Sequence, residues 1–377
     1  MNRPIYLDYA ATTPIDECVF EKMRECMVAP DLFGNPASTH WYGKKALKLV
    51  EKAREQVATF IQAKPSEIIW TSGATESNNL AIMGASKAHD KKHIITSSIE
   101  HPSVLAVCKA LEDKEHQVSY LKPNQSGVVE LSELEASIQE DTFLVSIMYV
   151  NNEIGTIQNI SEIAAVCQKN KLLLHVDAAQ AAGKIILNMT DIPIDFLSLS
   201  AHKIYGPKGI GALYVRENTE LKPILFGGGH ENGLRSGTLA THQIVGIGEA
   251  CVIAMEEIKD NNHHIKKLRN QLIAGLEKLP GFQVNGALNQ TVPHILNFSI
   301  QGVNGDHLHL AISKRLAVAS GAACSSAKIE PSHVLLALGL PEDLVESSIR
   351  LSLGKFTTFE EIDMAVKVIS EVAGLLS

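Results

Sequence analysis

The chain has 377 residues, 45% hydrophobic and 20% charged, the balance of an ordinary globular protein with room for a large core and two domains. Its 34 lysines and arginines against 42 acidic residues leave a net charge of −8, with no long basic run, which argues against a nucleic-acid or anionic-membrane surface. No apolar run approaches membrane-spanning length, and the N-terminus lacks the apolar core of a signal peptide, so a soluble protein without membrane contact is expected. Six cysteines, Cys18, Cys26, Cys108, Cys167, Cys251 and Cys324, are scattered without C-x-x-C or ligand spacing. They read as reduced thiols of a cytoplasmic protein, with no disulfide and no zinc knuckle. The fifteen histidines lack a helical H-x-x-x-H with an acidic partner, and His263 and His264 sit in a polar run read as a solvated helix face, so no metal is expected.

In chain order, IYLDYAATTPID is a short extended segment closed by Pro14. Helical patterns follow over Cys18 to Cys26 and Trp41 to Ile61, separated by the loop DLFGNPAST. From Glu67 onward strands and helices alternate. The strand candidates are Ile68–Thr71, His93–Thr96, Val118–Leu121, Phe143–Val150, Leu172–Val176, Phe196–Ser200 and Gly211–Val215. This alternation predicts an α/β chain with a mostly parallel sheet covered on both faces. After about Cys251 the character changes to a long polar helix reaching Leu279, then short strands near Val284 and at His294–Ile300, a helix, a Ser/Gly/Ala loop and a closing helix. The division expected is a large domain over 15–255 and a smaller α/β domain made of 1–14 and 256–377.

In parallel sheets the chemistry gathers beyond the carboxyl ends of the strands. In SLSAHKIYGPKG, Lys203 sits just past an apolar strand beside His202, held by the stiff turn of Gly206, Pro207 and Gly209. It is either a solvated loop lysine or an amine placed to form a Schiff base. At the first strand, EIIWTSGATESNN runs from apolar strand through a glycine turn into a helix, whose first N–H groups and Thr75 hydroxyl could cradle a phosphate. His101, before Pro102 at a helix start, could cap the helix, stand exposed, or lay its ring against a planar ligand. In VNNEIG, Asn152 either shapes the turn or bonds a ligand oxygen. In LLLHVDAAQ, Asp177 emerges from a run of three leucines and a valine, where a carboxylate is expensive without a cationic partner. A protonated pyridine nitrogen would supply that charge. Asp for the ring nitrogen, Lys for the aldehyde and a helix start for the phosphate are the three grips that pyridoxal phosphate requires.

The loop GGGHENGLRSGT, with His230, Arg235 and Thr238, could reach into a neighbouring subunit's site. Arg350, inside an alternating apolar strand, calls for a bidentate carboxylate, either a substrate's or a structural partner's. Cys324 lies among Ser, Gly and Ala and reads as exposed and mobile, which suits a nucleophile that visits one site and delivers to another.

Taken together, YLDYAATTP, FGNPAS, TSGATESNNLAI, EHPSV, VNNEIG, HVDAAQ, SAHKIYGPKGIGALY, GGGHENGLRSGT, SGAACSS, EPSHVLLALGL and SSIRLSLGKFTT make the chain similar, almost end to end, to the cysteine desulfurases of the NifS/IscS type. These are class-V aminotransferases of pyridoxal-phosphate fold type I. The resemblance implies removal of sulfur from L-cysteine, leaving alanine. It implies Lys203 as the Schiff-base lysine, Asp177 as partner of the pyridine nitrogen, His101 stacked on the ring and Gln180 on its phenolic oxygen. Asn152 would lie near that oxygen and the substrate carboxylate, which Arg350 and Asn35 would take. Ala74, Thr75, Ser200 and His202 would hold the phosphate, helped by Thr238 from the other subunit of a homodimer. Cys324 would take the sulfur as a persulfide and could serve as a transient iron–sulfur ligand with a scaffold. Either His101 or the substrate's own thiolate would deprotonate it. Ala201 and Ala322 replace a glycine and a serine usual in the family. The longer loop around Cys324 favours delivery to a protein over selenocysteine lyase chemistry. The acceptor stays open between an iron–sulfur scaffold, a tRNA thiolation enzyme and DNA sulfur modification. Rival readings are another fold type I enzyme and a partner protein that has lost the cofactor.

Overall fold

In a computed structural model of the chain, residues 3–320, 322–325 and 328–376 are described, with the side chains of 320–330 outside the description. The organising element is a seven-stranded sheet. Its strands run in the order Ile68–Thr71, Gly211–Val215, Phe196–Ser200, Leu173–Asp177, Thr142–Met148, His93–Ser97 and Gln117–Leu121. All run the same way except Gly211–Val215, which is antiparallel to both its neighbours. The central strands are buried along their whole length because helices cover both faces, which is why they read as unbroken apolar runs and not as alternation. The carboxyl ends Thr71, Met148, Asp177 and Ser200 therefore share one edge. The expected strands all form, with ends shifted by at most two residues.

A second, four-stranded antiparallel sheet joins Ala319–Ser320, Ser348–Ser352, Ile295–Ile300 and Phe282–Val284. Its core gathers Leu7, Phe298, Ile349, Leu351 and the inner face of the helix Phe359–Leu376. The N-terminal strand Ile5–Tyr6 pairs in parallel with Leu316–Ala317 and brings the first residues to this sheet. One helix of 36 residues, Thr241–Leu276, belongs to both cores. Ile244, Ile247, Ala250 and Cys251 pack against the large sheet, and Ile265, Leu268, Leu272 and Leu276 pack against the small one. The change of character seen after Cys251 lies inside this helix, where the apolar face passes from one core to the other.

The segment expected as a Ser/Gly/Ala loop is a short antiparallel hairpin, Ala322–Ser325 with Lys328–Pro331, pairing Cys324 with Ile329. The side chain of Cys324 itself lies outside the described residues. Cys26, Cys108, Cys167 and Cys251 are buried and Cys18 is exposed, all as free thiols. Among the described residues no helix is long and apolar enough to cross a membrane, and no group of His, Cys, Asp and Glu could hold a metal.

The glycine-rich loop 227–238 is clamped at two points. Glu231 takes a two-pronged ion pair from Arg54 (Nη1 and Nη2 at 2.8 and 2.9 Å) and the N–H of Trp70 at 2.9 Å. Arg235 is paired with Glu76 of the same chain, Nε to Oε1 at 2.7 Å. Glu231→Ala would leave the enclosed Arg54 guanidinium with only the half-exposed Glu51 and the Ile68 carbonyl. It is expected to lower the unfolding free energy by about 1–3 kcal/mol, read from denaturant titration by circular dichroism; an unchanged midpoint would show that the clamp contributes nothing.

Candidate active site

The edge where the strands end opens into a cleft of about 620 Å³, lined by Ala74, Thr75, His101, Asn152, Asp177, Gln180, Ser200, His202, Lys203 and Arg350. Ten of the residues singled out in the sequence thus meet in one place, drawn from segments up to 276 residues apart (350 − 74). Asn35 and Thr238 do not join them in this chain. They line a separate hollow beside Met27, Leu32 and Phe33.

Asp177 closes its strand and is only 6% exposed. Its carboxylate accepts from Asn78 Nδ2 at 2.8 Å and from the N–H of Ala179 at 2.9 Å, and it forms no ion pair among the described residues. Two neutral donors do not balance a buried charge. A cationic ring nitrogen would.

Lys203 follows the strand Phe196–Ser200 in a single 3₁₀ turn. Its Nζ donates to the carbonyls of Ala10, at 2.5 Å, and Ala11, at 2.8 Å, so the extended N-terminal segment forms part of the cleft wall. Burial first, then the Arg350 charge, brings the Lys203 pKa down to about 8, against the opposing pull of Asp177 and Asp8. Lys184, behind it, is brought down to about 7 by burial and by Lys203. Burial, with Lys203 and Lys208, holds His202 at about 4, so its ring is neutral; Nδ1 meets Thr12 Oγ1 at 3.1 Å.

His101 caps the helix Pro102–Glu112: its Nδ1 accepts the backbone N–H of Ser103 at 3.1 Å. A backbone N–H can only donate, so Nδ1 carries no proton and the neutral ring bears its hydrogen on Nε2. Desolvation keeps His101 below its ordinary value, with Asp177 opposing and Lys203 assisting. Ser103 Oγ also lies 2.8 Å from that Nδ1 and accepts from Asn78 Nδ2 at 2.8 Å. Asn78 therefore spends both amide hydrogens, one on Asp177 and one on Ser103. The chain His101–Ser103–Asn78–Asp177 has every proton assigned. Beneath it, Glu100 is completely buried; Oε1 accepts from Met148 N and Ser97 Oγ, and burial raises its pKa to about 8. It is a neutral acid at pH 7.

The paired asparagines divide their tasks. Asn151 makes the turn, its Oδ1 accepting from the N–H groups of Glu153 and Ile154, and Asn152 lines the cleft. Arg350 has the structural partner, through one prong only: Nη2 donates to Asp8 Oδ1 at 2.7 Å and Nη1 to the Asn152 carbonyl at 3.0 Å, and the side chain lines the cleft. Its Nε is enclosed without a partner. Gln180 donates to the Ala10 carbonyl at 2.8 Å.

At the far end of the cleft the helix Ala74–Ala88 begins on Gly73, whose φ of +150° few side chains tolerate. A Cβ there would sit 3.6 Å from Ser200 Oγ, inside the hollow formed by the free N–H groups of the first turn, Thr75 and Ser200. The unpaired acid, the desolvated amine and this anion cradle fit pyridoxal phosphate. Sequence reasoning missed Asn78, Ser103, Asp8, Glu100 and the Ala10 and Ala11 carbonyls. No local pattern marks them, because each earns its role through a contact made in the folded chain.

Residues 5–364 match the family Aminotransferase class-V. The chain is 53% identical over 374 residues to the cysteine desulfurase IscS of Vibrio cholerae, spanning 98% of this chain and 92% of that one. Among solved structures it is similar to a NifS-like protein (TM-score 0.93, 40% identity, 99% of this chain and 100% of that one). It is similar also to SspA in complex with cysteine (TM-score 0.83, 39% identity, 94% and 100%). The chain belongs to the class-V aminotransferase family, whose fold is that of the type I pyridoxal-phosphate enzymes. Within it, its place is among the cysteine desulfurases of the NifS/IscS type.

The depressed Lys203 has a consequence for stability. The unfolded lysine binds its proton up to about pH 10.4, and the folded one releases it near pH 8. Over that interval the unfolded state holds more protons, so the apoprotein gains stability as pH rises. Thermal unfolding of apoprotein between pH 8 and 10 should show this gain relative to Lys203→Met; identical slopes would mean that the amine is not desolvated.

Proposed function

We propose that this cleft takes sulfur from L-cysteine, that pyridoxal phosphate is its working group, and that Cys324 receives the sulfur. The chain is a cysteine desulfurase. The observation that carries the division of labour is the enclosed, cation-free Asp177 in one cleft with the desolvated Lys203.

Lys203 would hold the cofactor aldehyde, Asp177 the ring nitrogen, His101 the ring face and Gln180 the phenolic oxygen. Ala74, Thr75, Ser200 and His202 would hold the phosphate. When bound, the cofactor offers an aldehyde to the substrate amine and a cationic ring that draws electrons from the substrate Cα. Arg350 takes the substrate carboxylate in place of Asp8, with Asn152 alongside. Released Lys203, whose lowered pKa leaves part of it as free amine at neutral pH, removes the Cα proton. Asp177 keeps the ring nitrogen protonated throughout, held in place by Asn78. His101 carries its hydrogen on Nε2 and has its one lone pair turned to Ser103, so it works as a donor toward the substrate. That leaves the substrate's own thiolate to take the proton of Cys324. Cys324 Sγ then bonds the substrate sulfur, and the Cβ–S bond breaks with its electron pair left on carbon; one proton returned by Lys203 and one from solvent restore Cα and Cβ, and alanine departs. The balance is cysteine plus enzyme thiol giving alanine plus enzyme persulfide.

A homodimer completes the assembly. Asn35 and Thr238 lie together away from the cleft of their own chain, beside an exposed apolar group that includes Phe33, Trp41 and Tyr42. A second copy seated there would carry them to its own cleft. The units that would move together are 15–255 and 1–14 with 256–377. The protein works in a reducing cytoplasm, passing sulfur to an acceptor protein, an iron–sulfur scaffold or a thiolation enzyme.

Cys324→Ser is expected to keep the cofactor absorbance and lose persulfide formation from cysteine by about 100-fold or more. Borohydride should fix the cofactor to the Lys203 peptide, seen by mass spectrometry. Undiminished sulfur release by Cys324→Ser would favour a lyase reaction, and protein that binds no cofactor would return the non-enzymatic reading. Sedimentation should give twice the 40.9 kDa chain mass; a fully active monomer would end the shared-site proposal.

A further inference from the structure

The helix Thr241–Leu276 and the segment 288–293 wall a groove of about 730 Å³, lined by Asn262, His263, Lys266, Arg269, Glu277 and Asn289 among others. None of its residues lines the cofactor cleft. The far wall is fixed, because Val292 N–H donates to Gly155 O at 3.0 Å and Gln290 Nε2 donates to Asn159 Oδ1 at 2.8 Å.

Arg269 is the anomaly. It follows the core residues Ile265 and Leu268 on the helix and is 8% exposed, yet its guanidinium forms no ion pair and donates no hydrogen bond among the described residues. Its Nε is enclosed without any acceptor. The other largely enclosed arginines are each matched by an acid: Arg54 by Glu231 and Arg350 by Asp8. Glu277 lines the same groove but starts eight residues on, about 12 Å along the helix, and forms no pair with Arg269. An arginine cannot shed its charge. A largely enclosed cation without a partner is costly, and burial weakens its hold on its own proton with no acid nearby to offset that. The missing counter-charge has room to arrive from outside, and Lys266 adds a second positive charge along the groove.

We propose that this groove binds the carboxylate or phosphate group of a small molecule, gripped by the two-pronged guanidinium of Arg269. A groove of this volume admits an organic anion and not only a bare ion. The site is separate from the reaction cleft and does not rest on the reading of that cleft.

The test uses the cofactor-loaded enzyme, so that added phosphate does not report on the cofactor's own cradle. Inorganic phosphate and acetate are titrated separately against potassium chloride at matched ionic strength, reading thermal unfolding. At least one should give a saturable gain, about 2 °C at tenfold excess over its Kd, that Arg269→Met abolishes. In chloride alone Arg269→Met should be at least as stable as the parent, since it removes an unpaired buried charge. Arg269→Lys should keep the fold and bind more weakly. A response to phosphate, acetate or both identifies which oxyanion the fork accepts. No saturable gain up to about 50 mM, or an equal gain in Arg269→Met, would overturn the proposal.

Discussion

A carboxylate enclosed at the end of a strand, with no ion-pair partner among the described residues, sets the terms for the rest of this molecule. Burying a charge is tolerable only where hydrogen bonds and an opposite charge repay the lost water. The protein supplies the hydrogen bonds to Asp177 through Asn78 and the Ala179 N–H, and the opposite charge is what the proposed cofactor ring would bring. The parallel sheet makes this possible. Only where strands end together can a carboxylate, an amine and a helix start converge on one ligand without any of them being a neighbour in sequence.

The groups around that acid are kept from competing for the same charge. His101 and His202 are held neutral, Lys203 is lowered to about 8, and Glu100 beneath them stays protonated. Arg350 is the permanent cation of the cleft, and it is paired with Asp8. The His101–Ser103–Asn78–Asp177 chain joins the histidine to the acid with one set of proton positions, so the two cannot reorient independently. Of its four side chains Ser103, Asn78 and Asp177 are buried, where a hydrogen bond counts for more than in water, and His101 closes the chain at its exposed end.

The large sheet was legible because its strands are covered on both faces, and runs such as LLLHV and FLVSIM admit no other reading between glycine and proline signals. The cleft residues were legible for a related reason: a polar group that follows such a run stands at a strand end. Asp177 and Lys203 were found this way, and Arg350 by standing inside an alternating apolar strand. The hairpin carrying Cys324 was not legible, because small residues such as Ser, Gly and Ala carry no period. Its pairing sets Cys324 opposite Ile329, and the strand before it sets Ala319 opposite Arg350. The single helix Thr241–Leu276 was read only in its polar second half, because its first half presents a different face to a different core.

By itself, then, the order of residues determined the strands, the helix starts, and the kinds of chemical group that stand where strands stop, because these depend on local pattern and burial. Which neutral groups brace Asp177, how the proton sits on His101, that Arg350 leans on Asp8, and that Asn35 and Thr238 stay apart from the cleft were decided only by the tertiary structure. Those are contacts between residues tens to hundreds of positions apart, such as Asp8 and Arg350 at a separation of 342, and only the packing of the two sheets brings them within hydrogen-bond reach.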